Sequence, residues 1–485
     1  MSEQSPPSRD GLSDAKQRLF ALLMQERQAP KVLARQTIVT GEVAITPPQA
    51  HEFAIPNADR HIFNLPLLLN VHLPLDDALL REIVRALVAH HDALRLCSAQ
   101  DEHGWRQWIA PPPEEPPVTF VDLSALDEAE QRAALEAQVA ALQLSFDLAK
   151  GPLFKAALFD LGPARPARLL LLAHHIACDQ YSAGILAEDF VTAYRQLRSG
   201  EPHPEGIRLP PKTTAYLDWA QRLADYAHGE AARKQLGYWL NRGWSKVRPV
   251  HADFPDGINS GATAALVVQA IDTGELEHLS YQRLKAHAAQ LPHVVVYALA
   301  RTLARWTGGE AAMISMCQHG RMHPFPDLDV SRTVGWLSYQ YPLVIDLANA
   351  ASPVEQLRRT VNEVESVPQQ GLSYGVLRYM GAPEVVAALQ ALPEPDLFVN
   401  IRINSAIEIP GFTPASENVG QSSSRTIIWP RYWYLNVNIN DRRIEFQCSY
   451  NTALHRPTTV EQFIRDTIDQ IYALDTALAA VEESA

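Results

Sequence analysis

Residues 169–182 read LLLLAHHIACDQYS, and the rest of the chain is best understood outward from them. The dense apolar run Leu169–Ala173 suits a short strand buried on both faces. It stops at two adjacent histidines, and beyond them Ser182 reads as the cap of a helix. Ile185, Leu186, Phe190, Tyr194 and Leu197 recur there at helical spacing. Junctions of this kind are where a rigid scaffold presents reactive side chains. Consecutive residues at a strand end point opposite ways, so one of His174 and His175 faces a cleft and the other is held inside by hydrogen bonds. A neutral imidazole, with a reference pKa of about 6.5, accepts a proton from an attacking nucleophile near neutral pH. Asp179 lies four residues after His175 and suits a buried ion pair; as a base it is weak, its reference pKa being about 4. Cys178 as a nucleophile is disfavoured by the tendency of cysteine to be buried. On the residues alone, a catalytic and a structural histidine pair both remain open.

Upstream, residues 76–97 place Leu79, Leu80, Ile83, Val84, Leu87 and Val88 on one helical face. A second helix is predicted from Glu128 to Leu144. Downstream, residues 198–214 break the pattern with Gly and Pro and read as a crossing, and a long helix follows from Ala215 to Leu240. The second half mixes strands (Ala264–Ile271, Ala312–Cys317, Tyr434–Asn440, Arg443–Tyr450) with helices (Gly274–Leu291, Pro353–Val364, Val460–Leu474). Ser352 caps the middle helix and Pro353 suits its first position. Both halves are mixed α/β. The expected division is a flexible N-terminal segment 1–42, a first lobe 43–222 and a second lobe 223–485. Within the first segment, the stretch from Leu12, LSDAKQRLFALLMQERQ, reads as an amphipathic helix capped by Ser13. It either packs on the body or docks a partner.

At 485 residues the chain exceeds one ordinary core, in keeping with two lobes. Its net charge of −13, without a Lys/Arg block, argues against nucleic-acid binding, which depends on neutralising phosphates. The four cysteines are scattered, with neither disulfide nor zinc spacing, which fits a reducing cytoplasm. No HExxH pattern occurs and no metal is expected. The N-terminus is polar, and apolar runs such as Val294–Ala300 fall short of the ~20 residues of a membrane span. A cytoplasmic protein is the expectation.

HHIACDQ, residues 174–180, resembles the HHxxxDG motif of nonribosomal peptide synthetase condensation domains and chloramphenicol acetyltransferase-like acyltransferases. Gln180 stands in place of the motif's glycine. Other segments follow in that family's order: AITPPQ (44–49), HHDALR (90–95), FDLAKGPLF (146–154), AYLDWA (215–220), HGR (319–321), VGWLSYQYP (334–342), VPQQGLSYGVLRY (367–379) and NVNINDRRIEFQCSYN (436–451). The resemblance spans roughly Val43 to Leu474. It implies a pseudo-dimer of two chloramphenicol acetyltransferase-like lobes in a V, with the active site in a channel between them. It also implies that His175 is catalytic, that His174 and Asp179 are structural, and that Arg321 is the charge partner of Asp179. Gln180, Tyr181, Trp336 and Ser338 are expected at the substrate channel. Asn400, Arg402 and Asn404, in FVNIRINS, are candidates to point polar side chains into the cleft. His90, His91 and Arg95 read as helix-end and fold-stabilising residues, and Tyr339, Tyr341 and Tyr374 as core or channel lining.

HGR and GLSYGVLRY are closer to the epimerising branch of the family, which carries a glutamate in an EGHGR motif. Here the stretch is Cys317-Gln318-His319-Gly320-Arg321, and a neutral thiol is a poor substitute for a carboxylate acid/base. The resemblance therefore implies a free-standing condensation enzyme, similar to the ester- or amide-forming ones of enacyloxin and enediyne assembly. Such an enzyme takes an acyl, polyketide or peptidyl group from the phosphopantetheine thioester of a carrier protein. It passes the group to the hydroxyl, or else the amine, of a small acceptor, releasing the chain. No cofactor of its own is expected, and it is expected to act as a monomer. The alternatives are a non-catalytic module that recruits carrier or partner proteins and, further off, epimerisation.

Overall fold

The computed structural model describes residues 34–482 except 200–205, 277, 323–324, 349, 351 and 405–408. The helix expected from Leu12 lies outside the described residues. The strands are β1 (Gly41–Glu42), β2 (Asn64–Val71), β3 (Leu96–Asp101), β4 (Gly104–Ile109), β5 (Val118–Asp122), β6 (Phe154–Asp160), β7 (Ala167–His174), β8 (Ala264–Asp272), β9 (Ala311–Gln318), β10 (Tyr339–Asp346), β11 (Leu397–Ile403), β12 (Phe412–Pro414), β13 (Trp433–Ile439) and β14 (Arg443–Asn451). They form a five-stranded sheet β12-β2-β7-β6-β5, a six-stranded sheet β10-β9-β11-β13-β14-β8 and a small sheet β1-β4-β3.

β7 is buried on both faces, which is why it reads as an unbroken apolar run. Leu170 and Leu172 join one core with Leu135 and Val139 of helix Glu128–Gln143. Leu169, Leu171 and Ala173 join another, with helices Asp77–His90 and Gln180–Ser199. β7 pairs antiparallel with β2, setting His174 opposite Asn64.

In the six-stranded sheet β9, β11 and β13 run parallel. Leu397, Val399, Leu435, Val437, Ile444 and Phe446 pack into the core shared with helices Leu291–Thr307 and Pro457–Glu482. The alternate residues turn to the other face. There Gln340 pairs with Cys317, Asn400 with Asn436 and Asn436 with Gln447, a row of half-buried polar side chains.

Several elements depart from expectation for local reasons. The helix expected over Gly274–Leu291 is a single turn Thr273–Glu275, a short helix Tyr281–Ala286 and the start of helix Leu291–Thr307. Ala288 has a positive φ of 54°, and Pro292 restricts the residue before it and favours a fresh helix start. The stretch from Ala215 to Leu240 breaks at Gly229, whose backbone is extended, into helices Tyr216–His228, Glu230–Arg233 and Leu236–Leu240. The helix read over residues 76–97 stops at His90 because Leu96 already begins β3. Between them Arg95, buried, bonds Asp92 and the carbonyls of Val88 and Val39. His91 meets Asp189 at 2.9 Å, and Arg332 meets the same carboxylate at 2.6 Å.

The late strand β12 joins the first sheet, pairing Phe412 with Val71. The chain around it follows β2 further, with Ala415 donating to the Leu68 carbonyl and Asn64 to that of Ser422. Two lobes divided near residue 222 remain our proposal for the domain organisation. Helix Tyr216–His228 runs across that boundary, and the segment carrying β12 crosses back over it. Among the described residues no helix is long and apolar enough to cross a membrane.

Candidate active site

β7 ends at His174 and hands over to a single helical turn, His175–Ala177. His174 is fully buried. Its Nδ1 accepts the Ile176 N–H at 3.2 Å, so Nε2 carries the proton donated to the Arg60 carbonyl at 3.0 Å. Burial pushes its pKa down to about 3, against the favourable contact with that carbonyl. It is a neutral structural ring.

His175 turns the other way and is partly exposed. Its ring stacks on Phe63 at 4.5 Å between centroids, nearly parallel, and Trp336 closes on it at 4.6 Å. Its backbone N–H donates to the Phe63 carbonyl at 2.7 Å. Nδ1 is buried without a hydrogen-bond partner. Burial lowers the pKa, with the ring's own carbonyl and the charge of Asp179 working the other way. The result is an oriented, neutral imidazole with part of its ring exposed.

Asp179 accepts six hydrogen bonds. Arg321 gives a two-pronged pair at 2.8 and 3.0 Å, Ser182 donates through its N–H and its hydroxyl, and the Leu337 and Ser338 N–H groups complete the set. Burial alone would raise the carboxyl, but the Arg321 charge and these donors hold it below the ordinary carboxylate range. A carboxylate so saturated has no free lone pair for base chemistry. It clamps the β7 loop to residues 321–338 of the other half. It also caps helix Gln180–Ser199, the role that sequence reasoning gives to Ser182. The Ser182 hydroxyl, whose single proton goes to Asp179, accepts in turn from Arg321 and from the Gly335 N–H.

Two glycines are required by this clamp. A Cβ on Gly335 would lie 2.2 Å from the buried Tyr216 ring. Gly320 has a φ of +77°, and a Cβ there would meet the Leu337 carbonyl oxygen at 2.0 Å.

The other sequence candidates gather around the same junction, at different depths. Gln180 is exposed at the start of its helix. The exposed Tyr181 ring stacks on His319 at 5.3 Å with the Arg321 guanidinium 4.6 Å from its centroid. Trp336 donates from Nε1 to Ser338 Oγ at 3.0 Å. Tyr339, Tyr341 and Tyr374 are core residues. Cys178 is fully buried, and burial pushes its thiol far up. Cys317, at the end of β9, is pushed up to about 12, again by burial first.

Sequence reasoning misses Phe63, Gln49 and Glu52. Phe63 is found only by knowing that β2 and β7 pair. Gln49 donates to the Ile176 carbonyl at 3.1 Å from helix Pro47–Ala54. Glu52, one turn on, is 7% exposed. Burial pushes its carboxyl up to about 7 against the charge of Arg60. Its charge reaches Tyr434 on β13.

The chain matches the family of the condensation domain over residues 39–480. A linear gramicidin synthase polypeptide of Brevibacillus parabrevis is 33% identical over 459 residues, which is 93% of this chain and 6% of that protein. The chain thus spans a small part of this relative. The epimerization domain from the third module of tyrocidine synthetase B superposes with a TM-score of 0.83 at 25% identity, covering 92% of this chain and all of that one. The starter condensation domain of rhizomide synthetase gives 0.68 at 17% identity over 90% of this chain and 97% of its own, a likeness of fold.

Proposed function

This chain belongs to the condensation-domain family, and from that premise we propose that it transfers an acyl group from a carrier-protein thioester to an acceptor hydroxyl, or else an amine. Its fold is the family's pseudo-dimer of chloramphenicol acetyltransferase-like lobes. Condensation domains act on substrates borne on the phosphopantetheine arm of carrier proteins and need no cofactor of their own. The observation that carries the reading is the contrast within the motif. His175 is neutral, oriented by Phe63 and Trp336, and partly exposed, while Asp179 has no lone pair to spare.

In the proposed reaction the acceptor attacks the thioester carbonyl as His175 takes its proton. The tetrahedral intermediate collapses, the C–S bond breaks, and the imidazolium returns the proton to the departing thiolate. A base so placed contributes about 10²–10⁴-fold; holding the two substrates in register supplies much of the rest. A hydroxyl gains most, since its nucleophilicity depends on losing the proton during attack. Chain release as an ester is therefore the favoured outcome. Monomeric action in the cytoplasm belongs to the same proposal, and light scattering on a sizing column tests the first part.

The test is intact-mass analysis of an acyl-loaded carrier protein incubated with small alcohols and amines, beside His175→Ala. Loss of the acyl group with matching ester or amide product, abolished in the variant, supports transfer. Unchanged carrier that still binds, with wild type and variant alike, supports a recruiting module instead.

A second reading is epimerisation, favoured by the likeness to the tyrocidine synthetase domain. It needs a second acid/base besides His175. Cys317 stands at the position of the family's glutamate as a thiol held neutral by burial, so the task would fall to Glu52. Solvent deuterium appearing at the α-carbon of an aminoacyl thioester, and lost in Glu52→Gln, would select this reading over transfer.

A further inference from the structure

Arg402 is the last but one residue of β11, on the same face of the strand as Asn400 and opposite the core residues Leu397 and Val399. It lies one pleat repeat, roughly 7 Å, beyond Asn400, in register with Asn438. The ends of the parallel strands β9, β11 and β13 converge here. Ligands of open sheets gather at such carboxyl ends. The guanidinium lies within electrostatic reach of Cys317, and Cys317 within reach of Asp179. Carried on from Val399 opposite Met316, the register of β11 and β9 sets Arg402 beside the turn His319–Arg321 that follows β9 and bears the partner of Asp179.

What sets it apart is that no carboxylate among the described residues pairs with it. Arg95, Arg321 and Arg378 are buried facing Asp92, Asp179 and Glu394. Arg402 is half-buried, burial lowers its pKa, and its Nε is sealed from solvent without a hydrogen bond. Among the described residues it has no ion pair. A cation withdrawn from water without compensation is costly to the fold, so its retention asks for a counter-charge that arrives with a ligand.

We propose that Arg402 is a specificity residue that receives a carboxylate of the bound substrate. A planar guanidinium fork pairs with carboxylates and phosphates alike. Its neighbours in the row are amides, with Glu445 two strands away in register, rather than the group of cations a dianionic phosphate would draw on. The carboxylate comes either from a free amino or hydroxy acid acting as acceptor or from the far end of a dicarboxylic acyl chain. This assignment rests on the transfer reading above for the names of the two substrates.

The experiment is a binding measurement, so it does not depend on turnover. Short amino and hydroxy acids, each beside its methyl ester, are titrated into wild type, Arg402→Gln and Arg402→Lys by ligand-observed NMR. In parallel, octanoyl- and ω-carboxyoctanoyl-pantetheine are compared in the same way. The expected result is a preference of about tenfold for the free acid in one of the two series, lost in Arg402→Gln and partly kept in Arg402→Lys. Which series shows it identifies the source of the carboxylate. The unfolding temperature of Arg402→Gln should stay level or rise, because no partner is orphaned. A fall of several degrees would mean a structural role and overturn the assignment. So would an equal acid preference in wild type and Arg402→Gln, or binding of inorganic phosphate that is tighter than that of the acids and lost in Arg402→Gln. An acid preference that persists without any transfer product would sink the proposed reaction and leave this assignment standing.

Discussion

The two halves of the molecule use the same device to opposite ends. β7 and β9 each end in a histidine-bearing loop, and the Asp179–Arg321 pair joins the two loops. At the end of β7, His175 is free of hydrogen bonds at its buried ring nitrogen and gripped by aromatic faces. At the end of β9, the reactive-looking groups are quenched or committed. The Cys317 thiol is held neutral, His319 lies flat on Tyr181, and Arg321 spends both terminal nitrogens on Asp179 and its surroundings. One strand end is poised for chemistry; the other holds it in place.

The sharpest way to break this contrast is to empty the first loop. His175→Ala should lower kcat/KM about 10²–10⁴-fold and lower the unfolding midpoint only modestly, through the lost packing on Phe63 and Trp336. Equal losses of activity and stability would assign His175 to the scaffold. Emptying the second loop should do the reverse. Arg321→Met leaves Asp179 charged and unpaired in the interior, and should cost about 3–5 kcal/mol in urea denaturation.

The third test separates the adjacent histidines by pH. His174 has a folded pKa of about 3, below the ~6.5 of an unfolded imidazole. The folded state thus binds fewer protons between those values. The stability His174 contributes is complete above about pH 6.5 and is lost as the pH falls through that window, by up to about 1.4 kcal/mol per unit. His174→Gln should flatten that slope by about one proton, read from urea midpoints across the window. For His175, burial shifts the acidic limb of the rate profile below the ordinary imidazole range. Turnover should therefore hold steady on lowering the pH from about 7.5 to about 6.5. An acidic limb above the ordinary range would contradict a neutral resting base.

Smaller effects refine the picture. Gly335→Ala drives a methyl into Tyr216 and should cost about 1–3 kcal/mol, loosening the Asp179 loop, with kcat falling alongside. Cys317→Ala should change transfer by less than about twofold, as befits a half-buried thiol held neutral. A larger loss would give the β9 end a chemical role.

Much of this contrast is legible in the sequence. The buried strand, the outward turn of one histidine and the segments in family order all rest on residues that impose their local structure. Ser352 does cap helix Pro353–Glu365, through the Glu355 N–H. The remainder depends on contacts between distant residues. Nothing near Phe412–Pro414 announces a strand, since three residues have no periodicity to read. Phe63 earns its place only by lying opposite the end of β7. Asp179 reads from sequence as one half of an ion pair, yet among its other donors are backbone N–H groups that sequence cannot identify. The helix expected at Gly274–Leu291 fails where a proline and a left-handed alanine outweigh good side-chain spacing.

The segment that carries β12 follows β2 from His72, which bonds the Gly411 carbonyl, to Asn64, which bonds that of Ser422. An uncovered β2 would present a row of unsatisfied amides and carbonyls beside leucines, a ready template for strands of other molecules. The crossing segment is thus also a guard against aggregation. Removing it should leave β2 open as an edge and promote precipitation during folding.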